Sequence, residues 1–394
     1  MKKFSAVFLL LSVALTIAVM AARAKWATSI PEIASFVLAA AWVSLFLSGR
    51  ARPRFSGVLI PFSGILVWSG IQLLLGTTVY RWPTEMAALY WGGNLAVFFC
   101  GLQVCADKKL RAGFLRALLF FGFAVSIFST VQALTSEGRV YWHFPTTTGT
   151  QPVFGPFLYR NQYAAFIEIL LPVALYLAIT ARKRKIFYYL VAATLYMSVV
   201  ASASRAGFVL STVELALVPI LTRRREPFSR GQFLNGALVL FGMLLWLAIP
   251  AGPEILFSRF GTPDPFGGRR EFNVSSLHMI QERPLMGFGL GNWPTAYPGY
   301  AVFDDGNFAN QAHNDWAQWT VEGGIPFLCL MLWIAGWGTV RGVRTGWGLG
   351  VPVVFLHCFV DYPIQRPGVA IVFFLMLAAL AHAGPESGAR EPES

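Results

Sequence analysis

The sequence predicts an all-α, polytopic integral membrane protein of about twelve transmembrane helices. Three observations predict it. Of 394 residues, 56% are hydrophobic and only 13% charged, about half the charge of a soluble domain, and the mean hydropathy is +0.57. The apolar residues lie in continuous runs about one span long, not in the alternation of a membrane β-barrel. The basic residues collect in every second connection between those runs, as the positive-inside rule demands. A soluble enzyme, a disordered chain and a disulfide-built secreted domain are excluded.

In order, spans are expected near 4–21, 30–47, 57–75, 86–104, 113–134, 161–180, 186–203, 206–221, 232–250, 322–340, 347–360 and 368–383. The first, behind Lys2 and Lys3, is about as long as a span and long for a signal-peptide core, so it reads as an uncleaved span. The run at 347–360 is short and contains Pro352. With the N-terminus cytoplasmic, that side receives Lys2/Lys3, Arg50/Arg52/Arg54, Lys108/Lys109/Arg111/Arg116, Arg182 to Lys185, Arg223/Arg224/Arg225/Arg230, Arg341/Arg344 and Arg390. The net charge of +12 is therefore topological, and no nucleic-acid partner is expected. Cys100, Cys105, Cys329 and Cys358 lie in or beside apolar stretches without ligand spacing and read as small hydrophobes.

The domain reading follows: spans one to nine over 1–250, a large outer loop with short helices over 251–321, spans ten to twelve over 322–383, and a polar, disordered cytoplasmic tail over 384–394. Two outer connections are long, about 135–160 and about 251–321, and long ordered loops are usually functional. In them, or at outer span ends, lie Arg139, Arg160, Arg205, Arg259, Arg269, Arg270, Arg283 and Arg366. The positive-inside rule would place these elsewhere, so an anion outside the membrane would explain them.

The outer loop ends in Gln311-Ala312-His313-Asn314-Asp315-Trp316, continuing to Glu322-Gly323-Gly324. Helical spacing would place His313, Trp316 and Ala317 on one face at a span mouth. A histidine there can take up a proton near neutral pH. Gly287-Phe288-Gly289-Leu290-Gly291-Asn292 lacks the preceding strand of a dinucleotide loop. Asp304-Asp305 and the His278/Glu282 pair are too sparse for a metal centre, so no metal or cofactor is expected. Glu168 and Glu214 fall inside spans, where carboxylates are costly; a structural ion pair or hydrogen bond is the simpler role for Glu168. Trp26, Trp82, Trp142, Trp293, Trp316 and Trp319 read mostly as an interfacial belt.

Four motifs then resemble the O-antigen ligase and polymerase superfamily, in the right order over about 150–325. They are Tyr159-Arg160-Asn161-Gln162-Tyr163-Ala164 leading to Leu171-Pro172; Ser204-Arg205-Ala206-Gly207; Gly268-Arg269 followed by Pro284-Leu285-Met286-Gly287-Phe288-Gly289-Leu290-Gly291-Asn292-Trp293; and the His313–Glu322–Gly324 stretch. The resemblance implies a GT-C-like glycosyltransferase architecture in the bacterial inner membrane, with a site facing the periplasm. It implies a metal-independent, inverting transfer of glycan from undecaprenyl diphosphate to a lipid A–core hydroxyl. His313 would be the base or orient the hydroxyl, and Arg205 and Arg269 would neutralise the leaving diphosphate. Arg160, Asn161 and Arg270 would contact substrate. Asp315 and Glu322 are candidates to hold the histidine; helical geometry puts Asp315 off the His313 face, so Glu322 or a group from another element is as good a candidate. The doubled arginine leaves Arg269 or Arg270 as the functional one, with Arg269 favoured by its preceding glycine. Each arginine has a plainer role as a snorkelling anchor, the better reading for Arg366 and, by a small margin, for Arg160. The motifs do not separate a ligase from a polymerase or a protein O-oligosaccharyltransferase using the same donor. A secondary transporter suits the span count and buried glutamates but not the missing internal repeat.

Overall fold

The computed structural model describes residues 1–22, 25–146, 153–223, 253–261, 268–302, 306 and 308–383. Regular structure among the described residues is helical, apart from two isolated bridges, Val140 with Phe144 and Phe154 with Phe157. The helices are α1 Lys2–Ala18, α2 Lys25–Leu47, α3 Leu59–Leu74, α4 Arg81–Cys105, α5 Lys108–Thr135, α6 Arg160–Thr180, α7 Lys185–Ala201, α8 Arg205–Arg223, α9 Pro253–Phe260, α10 Arg269–Glu282, α11 Trp293–Ala296, α12 Asp315–Thr345, α13 Gly350–His357 and α14 Pro367–Ala381. Among the described residues, six stretches are long and apolar enough to cross a membrane: Ser29–Leu47 within α2, α4, α5, α6, Arg205–Thr222 within α8, and α12. The described residues thus form the all-helical architecture of a multi-pass membrane protein.

Helices occupy every expected span but one; the run at 232–250 lies outside the described residues. The expected span at 347–360 is only the eight-residue α13, roughly 12 Å long at 1.5 Å per residue and too short to cross a bilayer. Its polar continuation, through Asp361 to the 3-10 turn Pro363–Gln365, is built into the site described below. Pro31, Pro172, Pro219 and Pro326 sit inside helices, as membrane bundles tolerate.

The chain divides into two compact units. The first comprises Met1–Val104, Thr262–Trp337 and Phe355–Leu375. Its core is aromatic. The Trp91 ring meets Trp319, Phe327 and Phe374 edge-on at 6.5, 5.7 and 6.1 Å. Trp293, Trp319 and Trp316 are buried, at 0, 2 and 9% exposure, so they are packing residues rather than the belt the sequence suggested. Trp26, Trp82 and Trp142 are exposed. Gln72, fully buried on α3, donates to the Met286 and Glu322 carbonyls at 2.7 and 2.9 Å and accepts from the Leu290 amide at 3.3 Å. One side chain thereby ties α3 to the glycine-rich loop and to α12. That loop runs so close to α12 that the helix breaks at Gly324, whose φ of +67° suits glycine and whose added Cβ would lie 2.1 Å from the Leu285 carbonyl oxygen.

The second unit comprises Cys105–Gly261, Gly338–Val354 and Met376–Ser394. Helix α6 is its centre, buried from Gln162 to Leu175 among α5, α7 and α8. A run buried all round is apolar all round, which is why its hydropathy looked like lipid contact. The first turn of α8 packs against α6 at Gly207, where an added Cβ would lie 2.4 Å from the Ala164 Cβ. Glu168 of α6 and Glu214 of α8 are both fully buried. Cys100, Cys105 and Cys358 are buried and Cys329 is exposed; all four are free thiols.

Replacing Gly324 with Ala forces a Cβ into a carbonyl at positive φ. The expected outcome is a loss of about 3 kcal/mol or more, read as a large drop in the melting midpoint of the detergent-solubilised protein. A midpoint within a degree of wild type would contradict the close packing described here.

Candidate functional site

Three elements of the first unit converge on His313. The first is α10, which opens at Arg269 and carries Arg269, Phe272 and Asn273 on one face by i, i+3, i+4 spacing. The second is the start of α12. Asn314 caps this helix, its side-chain oxygen accepting from the Ala317 amide at 3.1 Å. The third is the segment after α13, from Cys358 to Arg366.

The cap corrects the expectation that His313 shares a helical face with Trp316 and Ala317. An N-cap residue ends the helix, so His313 stands outside it, with φ +52°. Left-handed backbone is uncommon for a side-chain-bearing residue and, when the surroundings enforce it, often marks a functional position. Here they do. The His313 ring stacks on Phe272 at 6.0 Å and 11° and meets the Tyr362 ring edge-on at 4.8 Å. Tyr362 is held by Arg366, which donates to its hydroxyl at 2.9 Å with the guanidinium carbon 4.6 Å above the ring. Asn314 donates to Asn273 at 2.9 Å, and Asn273 donates to the Arg269 carbonyl at 2.8 Å.

The charged partner of His313 is Asp361. Nδ1 of His313 lies 3.4 Å from one carboxylate oxygen, an ion-pair contact longer than a well-formed hydrogen bond. Arg269 lies 3.5 Å from the other oxygen. Asp361 is buried while His313 and Arg269 stay about one quarter exposed. Burial alone would push the Asp361 carboxyl up; the His313 imidazole and the Arg269 guanidinium outweigh it and hold the carboxyl at about 2. Asp361 is thus an anion fixed between two cation-forming groups.

Asp315 and Glu322 serve elsewhere. The Asp315 amide donates to the Cys358 and Asp361 carbonyls at 2.8 and 3.2 Å, and its carboxylate accepts from Gln365 at 2.7 Å and the Ile364 amide at 3.2 Å. It pins the segment that carries Asp361. Glu322 accepts from the Gly291 amide at 2.8 Å, Gln318 at 2.9 Å and the Trp293 amide at 3.3 Å. It pins the glycine-rich loop. Arg270 is exposed, pointing off the face that carries Arg269. Glu282 accepts from the Tyr300 hydroxyl at 2.5 Å, and His278 is exposed. Asp304 and Asp305 lie outside the described residues.

In the second unit, two of the quoted motifs meet. Ser204 caps α8, accepting from the Gly207 amide at 3.1 Å, and its hydroxyl donates to Asn161 at 2.7 Å. Arg205 follows directly and donates to the Arg259 carbonyl at 3.1 Å; Arg259 donates to the Ala203 carbonyl at 3.0 Å. Arg160 is near enough to both to feel their charge. Three guanidinium groups from α6, α8 and α9 are collected there, with Asn161 beside them.

Comparison with known proteins finds a likeness over one segment. Residues 190–332 match the family described as O-antigen ligase. The resemblance seen in the motifs holds there. No curated protein matches the chain. The matched segment contains Arg205, Arg259, Arg269, His313, Asp315 and Glu322; Arg160, Asn161 and Asp361 lie outside it. Over that segment the chain is similar to the O-antigen ligase family.

Sequence reasoning missed Asp361, Tyr362 and Phe272. One signal for Asp361 was available: Asp361-Tyr362-Pro363 interrupts two apolar runs, and a lone carboxylate at a span mouth is costly unless it is used.

Asp361 also sets a stability test. Its carboxyl is held below its ordinary 3.8, so its ion pairs contribute above that pH and are lost as pH falls through about 2, a contribution of about 2 kcal/mol. The melting advantage of wild type over Asp361→Asn should persist from neutrality down to about pH 5 and shrink between about pH 4 and 2. An advantage that vanishes already near pH 6 would contradict the assignment.

Proposed function

We propose that the protein is an O-antigen ligase. It takes glycan from undecaprenyl diphosphate and joins it to a hydroxyl of a lipid A–core acceptor, on the periplasmic side of the inner membrane. The GT-C-like reading of the chain belongs to this proposal, without the span expected at 347–360. The observation that carries it is the His313–Asp361–Arg269 arrangement, of which His313 and Arg269 lie inside the family-matched segment.

Asp361 faces Nδ1 of His313, which orients the ring and leaves Nε2 for substrate, as a carboxylate does for a catalytic histidine. Nε2 takes the acceptor hydroxyl's proton as that oxygen attacks the anomeric carbon. The new glycosidic bond forms while the bond from the anomeric carbon to the diphosphate oxygen breaks. Attack from the face opposite the leaving group inverts the anomeric centre. Undecaprenyl diphosphate departs as an anion, and guanidinium groups stabilise charge where it develops. Arg269, beside His313, supplies this in the first unit; Arg205, Arg160 and Asn161 are the second unit's own candidates for anionic substrate contact. Arg270 is left to more peripheral substrate contact. The reaction uses protein side chains only.

The test is reconstitution. Purified protein with lipid-linked glycan and lipid A–core, in EDTA, should yield joined product with inverted linkage. His313→Ala and Arg205→Ala should abolish it while folded protein stays normal. Asp361→Asn should lower kcat by roughly 10²–10⁴-fold with KM little changed. Product from His313→Ala at the wild-type rate would defeat the base assignment. Product formed only with a second lipid-linked glycan as acceptor would make the protein a polymerase.

A further inference from the structure

We propose that the first unit carries a separate docking cleft for the phosphate of the acceptor: a phosphate-bearing, acylated glycolipid seats its headgroup against Arg283. The proposal rests on the ligase reading above and names a subsite of it. The cleft is about 660 Å³, walled by 76–79, which follow α3, and by 283–287, which follow α10. That is the size of a small-ligand site.

The cleft is built rather than incidental. Gln72 fixes its floor through the bonds to Met286 and Leu290 described above, and the Val79 amide donates to the Phe288 carbonyl at 3.0 Å. Its lining is mainly apolar, with Val79, Leu285 and Met286, and its polar groups are Arg283, Thr77 and Thr78. The Arg283 guanidinium lies over the Phe288 ring, 4.7 Å from the centroid, so its stem is braced while its head stays half exposed. Glu282 stands 3.9 Å from it, a loose contact that a phosphate can displace.

Charge and surroundings select the occupant. One guanidinium, partly offset by Glu282, suits a single phosphate better than a diphosphate, which the arginine-rich cluster of the second unit suits. Leu74 and Leu75, just before the cleft, are 87 and 67% exposed, and Leu285 in its wall is 64% exposed. Bare leucines beside an arginine and two threonines form an apolar-to-polar step, the boundary at which a lipid's acyl chains give way to its headgroup. The unit that holds His313 therefore also holds a place to anchor the molecule whose hydroxyl His313 would deprotonate.

The experiment compares phosphorylated and enzymatically dephosphorylated acceptor in nanodiscs, with wild type, Arg283→Ala, and Arg283→Gln, which keeps the stem over Phe288. Arg283→Ala and Arg283→Gln should raise KM for the phosphorylated acceptor at least tenfold, with kcat and donor KM unchanged, and Arg283→Lys should restore part of it. Wild type with dephosphorylated acceptor should show the same raised KM, and the variants should add nothing further. A photoreactive residue at position 285 should crosslink the phosphorylated acceptor even in a His313→Ala background. An unchanged acceptor KM, an equal rise with both acceptors, or a rise in donor KM alone would overturn the cleft assignment. So would crosslinking of bulk phospholipid that acceptor does not displace. Absence of transfer by wild type with any acceptor would sink the ligase reading instead, and the crosslink would still decide the cleft.

Discussion

The structure around the candidate site depends on one buried anion. Asp361 is almost wholly removed from solvent, a position a carboxylate holds only if cationic groups and hydrogen-bond donors replace the water it loses. Arg269 and His313 stand at its two oxygens, and the Tyr362 amide donates to it at 2.9 Å. Remove any partner and the burial cost is no longer met. The charge therefore enforces the meeting of three elements far apart in the chain, and an imidazole and a guanidinium are held about one anion's width apart as a result.

A second layer keeps that anion in place. Asp315 grips the segment carrying Asp361 through its amide and its carboxylate, and Glu322, two helical turns on, grips the glycine-rich loop. One helix start thus anchors both neighbours of the site. Between those grips His313 is kept at a left-handed backbone angle, stacked on Phe272 and edged by Tyr362. A ring restrained on two sides loses little entropy when it engages a substrate, which is how a preorganised base differs from a surface histidine.

The arginines gathered in the second unit follow a different local logic. They arise at the starts of α6 and α8 and within α9, where a hydroxyl cap and backbone carbonyls position them. The positive-inside pattern read from the sequence left Arg160, Arg205 and Arg259 as exceptions, and that is what made them visible from charge alone.

Much was legible beforehand because it is written in local composition. Apolar run length marks helices at every described expected span, since an apolar stretch in a bilayer must satisfy its own backbone. Order and spacing carried the family resemblance, including Arg205, Arg269 and His313. What the chain could not declare locally were the pairings. Asp315 and Glu322, close in sequence to His313, looked like its partners, yet an N-cap at Asn314 turned the histidine out of the helix and gave it to Asp361, about fifty residues later. Likewise Trp293, Trp316 and Trp319 are core rather than belt, because burial is a property of neighbours brought in from elsewhere. Local sequence sets which segments are helical and which groups can carry charge; only tertiary packing decides which buried charge must find which partner, since that cost arises when distant segments shut out water together.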